Sequence, residues 1–503
     1  MSEFRKPHDE ALSAITQTGS PFEIGRQTLG GVDYLSYLNA PNTLTELLAP
    51  GRSHGAKEFL LYADERWSFD DFYRQVDQLA SQLAHRFDIA KGDRVAIAMR
   101  NYPEWLSSFV AITSLGAVAV PLNSWGKRDE LRQNLADAEA RLLICDAQRL
   151  AIIAPADLAL PAIVARPDDT PLPVGSHDFN ALVAAADAPA PTPVIDSEDT
   201  AMIMYTSGTS GRAKGALFSH RNCCQSITNF EALGAAAYMT NLEVYQAHGA
   251  SGRPPKTLLS VPLFHVSGLY SQFLLSLRGG RTLVIMYKWD PAEACRLIAA
   301  EQVTVVVGAP SMLLDLLGCP AFEGLDASCL SNFSGAGAAT PAKLLEQIDA
   351  KLPGALPGAG WGLTESGACG AAFTGHFVGR KPGSSGFVSP IVELRFCDEQ
   401  GAPVAAGEPG EIWIKSPSSI SGYCNAPEAN RSEFNNGWFN TGDIGYQDAD
   451  GCLFICDRAK DLVIRGGENI YPVEVESCLL RLPGVERAAA FAVPSERLGE
   501  ELA

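Results

Sequence analysis

The sequence predicts an α/β protein built on largely parallel sheets flanked by helices, and three observations predict it. Apolar, partly β-branched runs alternate with helix-forming stretches from about residue 59 onward, the rhythm of βα units whose strands pair in parallel. At 503 residues the chain is about three times a usual domain length, so more than one folding unit is expected. After Gly437 the texture changes to short strands and tight turns.

The elements follow in order. Residues 59–62 read as a short strand, and Ser68 with Asp71 three positions later forms a capping box that opens a helix to roughly Arg86. Residues 95–99 are an apolar strand, Pro103 suits the first turn of the next helix, and 116–121 return to strand. Residues 154–195 are rich in Pro, Ala and Asp and end in Ala188-Pro-Ala-Pro-Thr-Pro193, which reads as a surface excursion without chemistry. Strands resume at 201–205, 257–261, 282–286 and 304–307, and Asp448-Ala-Asp-Gly451 reads as a turn between Ile444 and Leu453. Residues 232–256 are longer than the pattern needs and read as a lid or a surface insertion.

Composition excludes several classes. Hydrophobic residues at 46% and charged residues at 19% suit a soluble globular chain rather than a disordered one. Lys and Arg number 39 against 58 Asp and Glu, a formal charge of -19 that disfavours a broad nucleic-acid surface. No run of about 18 apolar residues offers a membrane span, and the charged first ten residues do not read as a secretory signal. The twelve cysteines are scattered without a CxxC pair, so reduced thiols in a cytoplasmic protein are expected, not a zinc site.

The most informative segment is Tyr205-Thr-Ser-Gly-Thr-Ser-Gly-Arg-Ala-Lys-Gly215, which follows an apolar run and precedes a predicted helix. Gly208 and Gly211 let backbone N–H groups approach an anion, the hydroxyls of Thr206, Ser207, Thr209 and Ser210 can donate to phosphate oxygens, and Arg212 and Lys214 add positive charge. A Walker A loop fails here, because Lys214 follows Ala213 and precedes Gly215. The segment resembles the phosphate-binding signature of the adenylate-forming superfamily of acyl-CoA synthetases, amino-acid adenylation domains and luciferases. That signature usually has Pro before the Lys, and Ala213 departs from it.

Further motifs resemble the same family in the family's order. Gly360-Trp361-Gly362-Leu-Thr364-Glu365 is similar to its aromatic-Gly-x-Thr-Glu motif, which implies Trp361 against adenine, Thr364 on phosphate and Glu365 on magnesium, a hard ligand for a hard cation. Taken alone, Thr364 and Glu365 also read as a helix cap and its partner. Gly335 and Ala336, in Ser334-Gly-Ala-Gly-Ala-Ala339, match the turn beside adenine and the acyl carbonyl. Asp443, in Thr441-Gly-Asp443, matches the ribose-binding carboxylate. Arg458 would reach ribose or phosphate, Lys460 would be the hinge to a mobile C-terminal domain, and Gly466, Gly467 and Glu468 match the loop that lines the pantetheine tunnel. The resemblance spans essentially the whole chain. It implies a large N-terminal domain of mixed, largely parallel sheets over residues 1–459, followed by a small α+β C-terminal domain, incomplete here, over 460–503.

The implied reaction is ATP-dependent activation of a carboxylic acid to its acyl-AMP with release of pyrophosphate, then thioester formation with coenzyme A, with Mg2+ required. Amino-acid-activating relatives carry an Asp just after the Phe of the Pro262-Leu-Phe-His segment; His265 stands there instead, so the acid has no α-amine. His265 would sit beside the carboxylate or gate the acyl tunnel; a core histidine is the other reading. Tyr270, Val307, Gly335 and Ala336, with Leu269, Phe273, Phe333 and Ala338 nearby, would line an apolar pocket for a fatty, aromatic or alicyclic acid. The partners expected are that acid, ATP and coenzyme A, with a homodimer left open. A carrier-protein thiol as acceptor and a non-catalytic acyl-adenylate binder are the alternatives. The family's C-terminal Lys has no counterpart before Ala503, so slow adenylation is expected of this chain.

Overall fold

Helix Phe69–Arg86 begins on the foreseen capping box: Ser68 Oγ accepts from the Asp71 N–H at 3.1 Å, and Asp71 Oδ2 accepts from the Ser68 N–H at 3.0 Å. Pro103 likewise occupies the first turn of helix Pro103–Ser114. The computed structural model describes residues 2–503 except 155, 156, 158, 207–212, 338, 339, 466, 467, 481, 483, 486, 487 and 496–498.

An eight-stranded sheet runs in the order Gly422–Cys424, Lys214–Ser219, Thr200–Thr206, Val118–Pro121, Arg94–Ala98, Leu142–Asp146, Ala162–Ala165, Ser176–Asp178. Its last six strands are parallel and its first two are antiparallel. The central strands are apolar without alternation because both faces are covered: Val95, Ile97, Leu142 and Ile144 enter one core, and Ala96, Ala98, Leu143 and Cys145 the other.

A fourteen-stranded sheet lies beside it. Glu58–Tyr62, Thr282–Ile285, Lys256–Leu259, Val305–Gly308, Asn332–Gly335 and Leu356–Trp361 form its parallel half. Its antiparallel half runs through Ala371–Thr374, Ser384–Val388, Cys452–Arg458, Trp438–Gln447, Gly410–Lys415 and Glu393–Cys397. Near the C-terminus Glu468–Ile470, Val463–Arg465, Gly499–Leu502 and Ala492–Ser495 form a separate antiparallel sheet with helix Pro472–Leu479.

One expectation is corrected. The stretch 154–195 is not a mere excursion, because Ala162–Ala165 is a fully buried strand that extends the eight-stranded sheet. Pro161 before it and Arg166 behind it hid four apolar residues whose partner lies elsewhere in the chain. Residues 232–256, expected as a lid or a surface insertion, are largely helix, the end of His220–Thr240 followed by Leu242–Ala250, and the second of these buries no residue. Among the described residues no helix is long and apolar enough to cross a membrane.

Two histidines are buried uncharged. His220 Nδ1 accepts from the Leu44 N–H at 3.1 Å, and His8 stacks on Phe387 with ring centroids 4.4 Å apart. Burial lowers each imidazole from 6.5 to about 4. Between those values the unfolded chain binds more protons than the folded one, so stability falls as pH falls from 6.5 toward 4. Urea midpoints measured across that range should decline toward acid, and His8→Leu should make the decline shallower; equal slopes would contradict this account of His8.

Candidate active site

Strand Thr200–Thr206 carries the chain to Thr206, and Lys214 returns opposite it as its antiparallel partner. Ser207, Gly208, Thr209, Ser210, Gly211 and Arg212 lie outside the described residues. The expected helix does not follow directly: strand Lys214–Ser219 intervenes before helix His220–Thr240.

Lys214 is engaged. Its Nζ pairs with Glu433 Oε1 at 2.6 Å and lies 4.2 Å from the centroid of the Tyr423 ring. The Tyr423 hydroxyl stands 2.9 Å from Glu365 Oε1 and 3.0 Å from Glu433 Oε2. Burial, reinforced by these two carboxylates, raises the phenol far above its ordinary range, so it stays protonated.

Glu365 belongs to the turn that follows strand Leu356–Trp361, and no helix begins there, which removes the helix-cap reading of Thr364 and Glu365. Gly362 fits because a Cβ would run into the Ala368 carbonyl. Ser366 Oγ accepts from the Leu363 N–H at 2.9 Å, the Thr364 carbonyl accepts from the Gly367 N–H at 3.1 Å, and the Glu365 carbonyl accepts from the Ile420 N–H at 2.9 Å. These bonds fix the turn on which Thr364 and Glu365 sit, both partly buried.

Trp361, Asp443 and Arg458 meet in a second cluster. The Trp361 indole N–H donates to Asp443 Oδ2 at 2.7 Å, and Arg458 Nε pairs with Asp443 Oδ1 at 2.6 Å. Thr441 Oγ1 accepts from the Asp443 N–H at 3.1 Å and donates to the Ile412 carbonyl at 2.7 Å, while Gly442 takes φ +68° between them. Burial raises the Asp443 carboxyl above its usual range, while the Arg458 charge and the indole hydrogen bond oppose that rise.

Gly335 ends strand Asn332–Gly335, and the Ala336 N–H donates to the Gly308 carbonyl at 3.0 Å. Val307, beside them, is partly buried, and its carbonyl accepts from Gln272 Nε2 at 2.8 Å. Gly360 precedes Trp361 in the next strand. His265 is exposed at the start of the segment that becomes the π-helix Ser267–Leu274, with its ring 4.4 Å from that of Phe264. The core-histidine reading therefore fails, although surrounding protein still lowers the imidazole by desolvation. Tyr270 is wholly buried, its hydroxyl 3.2 Å from Cys223 Sγ, and Leu269, Phe273 and Phe333 are equally buried. Lys460 stands exposed in the turn after Arg458, Glu468 opens strand Glu468–Ile470, and Ala338, Gly466 and Gly467 lie outside the described residues.

Sequence reasoning missed Tyr423, Glu433 and Thr441's bracing of Asp443. Glu433 is 219 residues from Lys214 and ends a short polar helix, so no local pattern marks it. Asp443→Ala should leave a buried indole N–H without an acceptor and Arg458 without its ion pair, lowering unfolding free energy by about 2 kcal/mol in denaturant titration. Asp443→Asn, which keeps an acceptor, should lose less.

The profile described as AMP-binding enzyme matches residues 49–424. A long-chain-fatty-acid–CoA ligase of Mycobacterium tuberculosis is 34% identical over 431 residues, 85% of this chain and 81% of that protein. A feruloyl-CoA synthase of Amycolatopsis is 34% identical over 434 residues, 86% of this chain and 82% of that one. Among solved structures, the o-succinylbenzoate coenzyme A synthetase of Bacillus subtilis in complex with ATP and magnesium ion superimposes with a TM-score of 0.72 at 27% identity, covering 91% of this chain and 88% of that one.

Proposed function

The chain belongs to the AMP-binding enzyme family, and on that premise we propose that it is an AMP-forming acyl-CoA ligase acting on a fatty, aromatic or alicyclic acid. The observation that carries the reading is the meeting of Lys214 with Glu365 around Tyr423 and Glu433, beside the Trp361–Asp443–Arg458 cluster.

The acid's carboxylate attacks the α-phosphate of ATP and pyrophosphate leaves; the coenzyme A thiol then attacks the acyl carbonyl and AMP leaves. Neither step needs a covalent bond to the protein, so positioning and charge stabilisation do the catalysis. Lys214, Thr206 and the residues 207–211 between them bind the phosphates, with Thr364 on their other side. Glu365 suits a magnesium ion: its Oε1 meets the phenol, while its Oε2 has no hydrogen bond among the described residues. Bound there, magnesium offsets phosphate charge and orients the leaving group.

Trp361 with Gly335, Ala336, Gly360 and Gly362 flanks adenine, and Asp443 with Arg458 holds the ribose. His265, its imidazole lowered by desolvation, serves the acyl carboxylate, and Val307 and Tyr270 line the acyl pocket. Lys460 serves as the hinge into the C-terminal segment 460–503, and Gly466, Gly467 and Glu468 admit the thiol arm. The enzyme works in the cytoplasm.

ATP–pyrophosphate exchange across a panel of fatty, aromatic and alicyclic acids tests the reading. Exchange should depend on the acid, and Glu365→Gln should lower it by roughly a hundredfold, the order of one strong electrostatic contact to the transition state. Exchange without soluble acyl-CoA on adding coenzyme A would point to a carrier-protein acceptor. Absence of acid-dependent exchange would overturn the reading.

A further inference from the structure

The Tyr423 hydroxyl has one proton and faces two carboxylates, Glu365 at 2.9 Å and Glu433 at 3.0 Å, so it satisfies only one at a time. The other must be compensated elsewhere, and Lys214 does this for Glu433 at 2.6 Å. The four groups are held on a rigid frame. Lys214–Ser219 and Gly422–Cys424 are adjacent strands with Ala216 opposite Tyr423. The Tyr423 N–H donates to Asn430 Oδ1 at 2.7 Å, and Asn430 Nδ2 donates to the Tyr423 carbonyl at 2.9 Å. That two-way bond fastens helix Pro427–Glu433, and with it Glu433, to the tyrosine.

We propose that Glu433 and Tyr423 are positioning residues that couple cation binding at Glu365 to the release of Lys214 toward the phosphates. In the first arrangement the phenol donates to Glu365 and Lys214 pairs with Glu433. In the second a cation takes the place of the phenol on Glu365, the phenol turns its proton to Glu433, and Lys214 is free for phosphate. Each carboxylate keeps one charge-assisted partner in both arrangements, so the exchange exposes no buried unpaired charge. Nucleotide and cation then strengthen each other's binding, since a coupling between two sites is reciprocal. The inference rests on the proposed ATP chemistry and deepens it.

Equilibrium binding of ATP, with and without Mg2+, tests the coupling in the native chain, Glu433→Gln, Tyr423→Phe, Lys214→Met and the Lys214→Met/Glu433→Gln double variant. Glu433→Gln frees Lys214, so metal-free ATP should bind about fivefold tighter and the gain from adding Mg2+ should shrink by the same factor, the lower end of usual coupling. Tyr423→Phe leaves Glu433 dependent on Lys214, so Mg-ATP should bind about fivefold more weakly. Glu433→Asp, which keeps the charge, should stay near native. Effects of opposite sign are not what a general loss of packing produces. Without Lys214 the effect of Glu433→Gln should vanish; if it persists in full, plain charge repulsion explains it and the coupling is wrong. Shifts of the same sign in Glu433→Gln and Tyr423→Phe would also overturn the coupling while leaving the ligase reading intact. A native chain that binds no ATP with or without Mg2+ would overturn both.

Discussion

A carboxylate buried among protein atoms must be paired or give up its charge, and Asp443 is where this chain meets that constraint. Its two oxygens take the Trp361 indole N–H from the parallel half of the large sheet and the Arg458 guanidinium from the antiparallel half. Thr441 and the left-handed Gly442 hold the backbone that presents it. The strand carrying Arg458 is the one that leads out toward the C-terminal sheet, so one buried charge joins the nucleotide face of the site to the segment that follows it. The cluster is thereby a structural tie between the two halves of the sheet.

The second cluster obeys the same rule with a different balance. Glu365 and Glu433 bring two carboxylates to one phenol and one ammonium, and the geometry works only because Lys214 and Tyr423 stand on adjacent strands. Phosphate chemistry suits such a place: an incoming anion with its metal can replace protein partners one for one, and little needs to move beyond side chains.

Much of this was legible in the sequence where the signal is local. The box at Ser68 and Asp71, the proline at 103 and the turn at 448–451 depend on residues within a few positions of one another, and all three form. Glu365 and Asp443 were nameable because short motifs carry them, although what they bond to was not. Strand Ala162–Ala165 escaped notice because proline and polar residues surround it and its partner strand is elsewhere in the chain. The contact of the Tyr270 hydroxyl with Cys223 was not legible, because the two residues lie 47 positions apart. Tyr423 and Glu433 carry no motif; their meaning arises from sheet order, which brings residues 219 apart into an ion pair.

The central claim is that this site makes an acyl adenylate and then passes the acyl group to a thiol. A single-turnover reaction with ATP labelled at the α-phosphate tests it most directly, with enzyme in excess, an acid from the panel, and coenzyme A added as a chase. The account predicts that label first accumulates in an acid-dependent acyl-AMP and then appears as AMP, with one acyl-CoA formed for each AMP released. Label emerging as ADP, or an adenylate indifferent to coenzyme A and to every acid supplied, would contradict it.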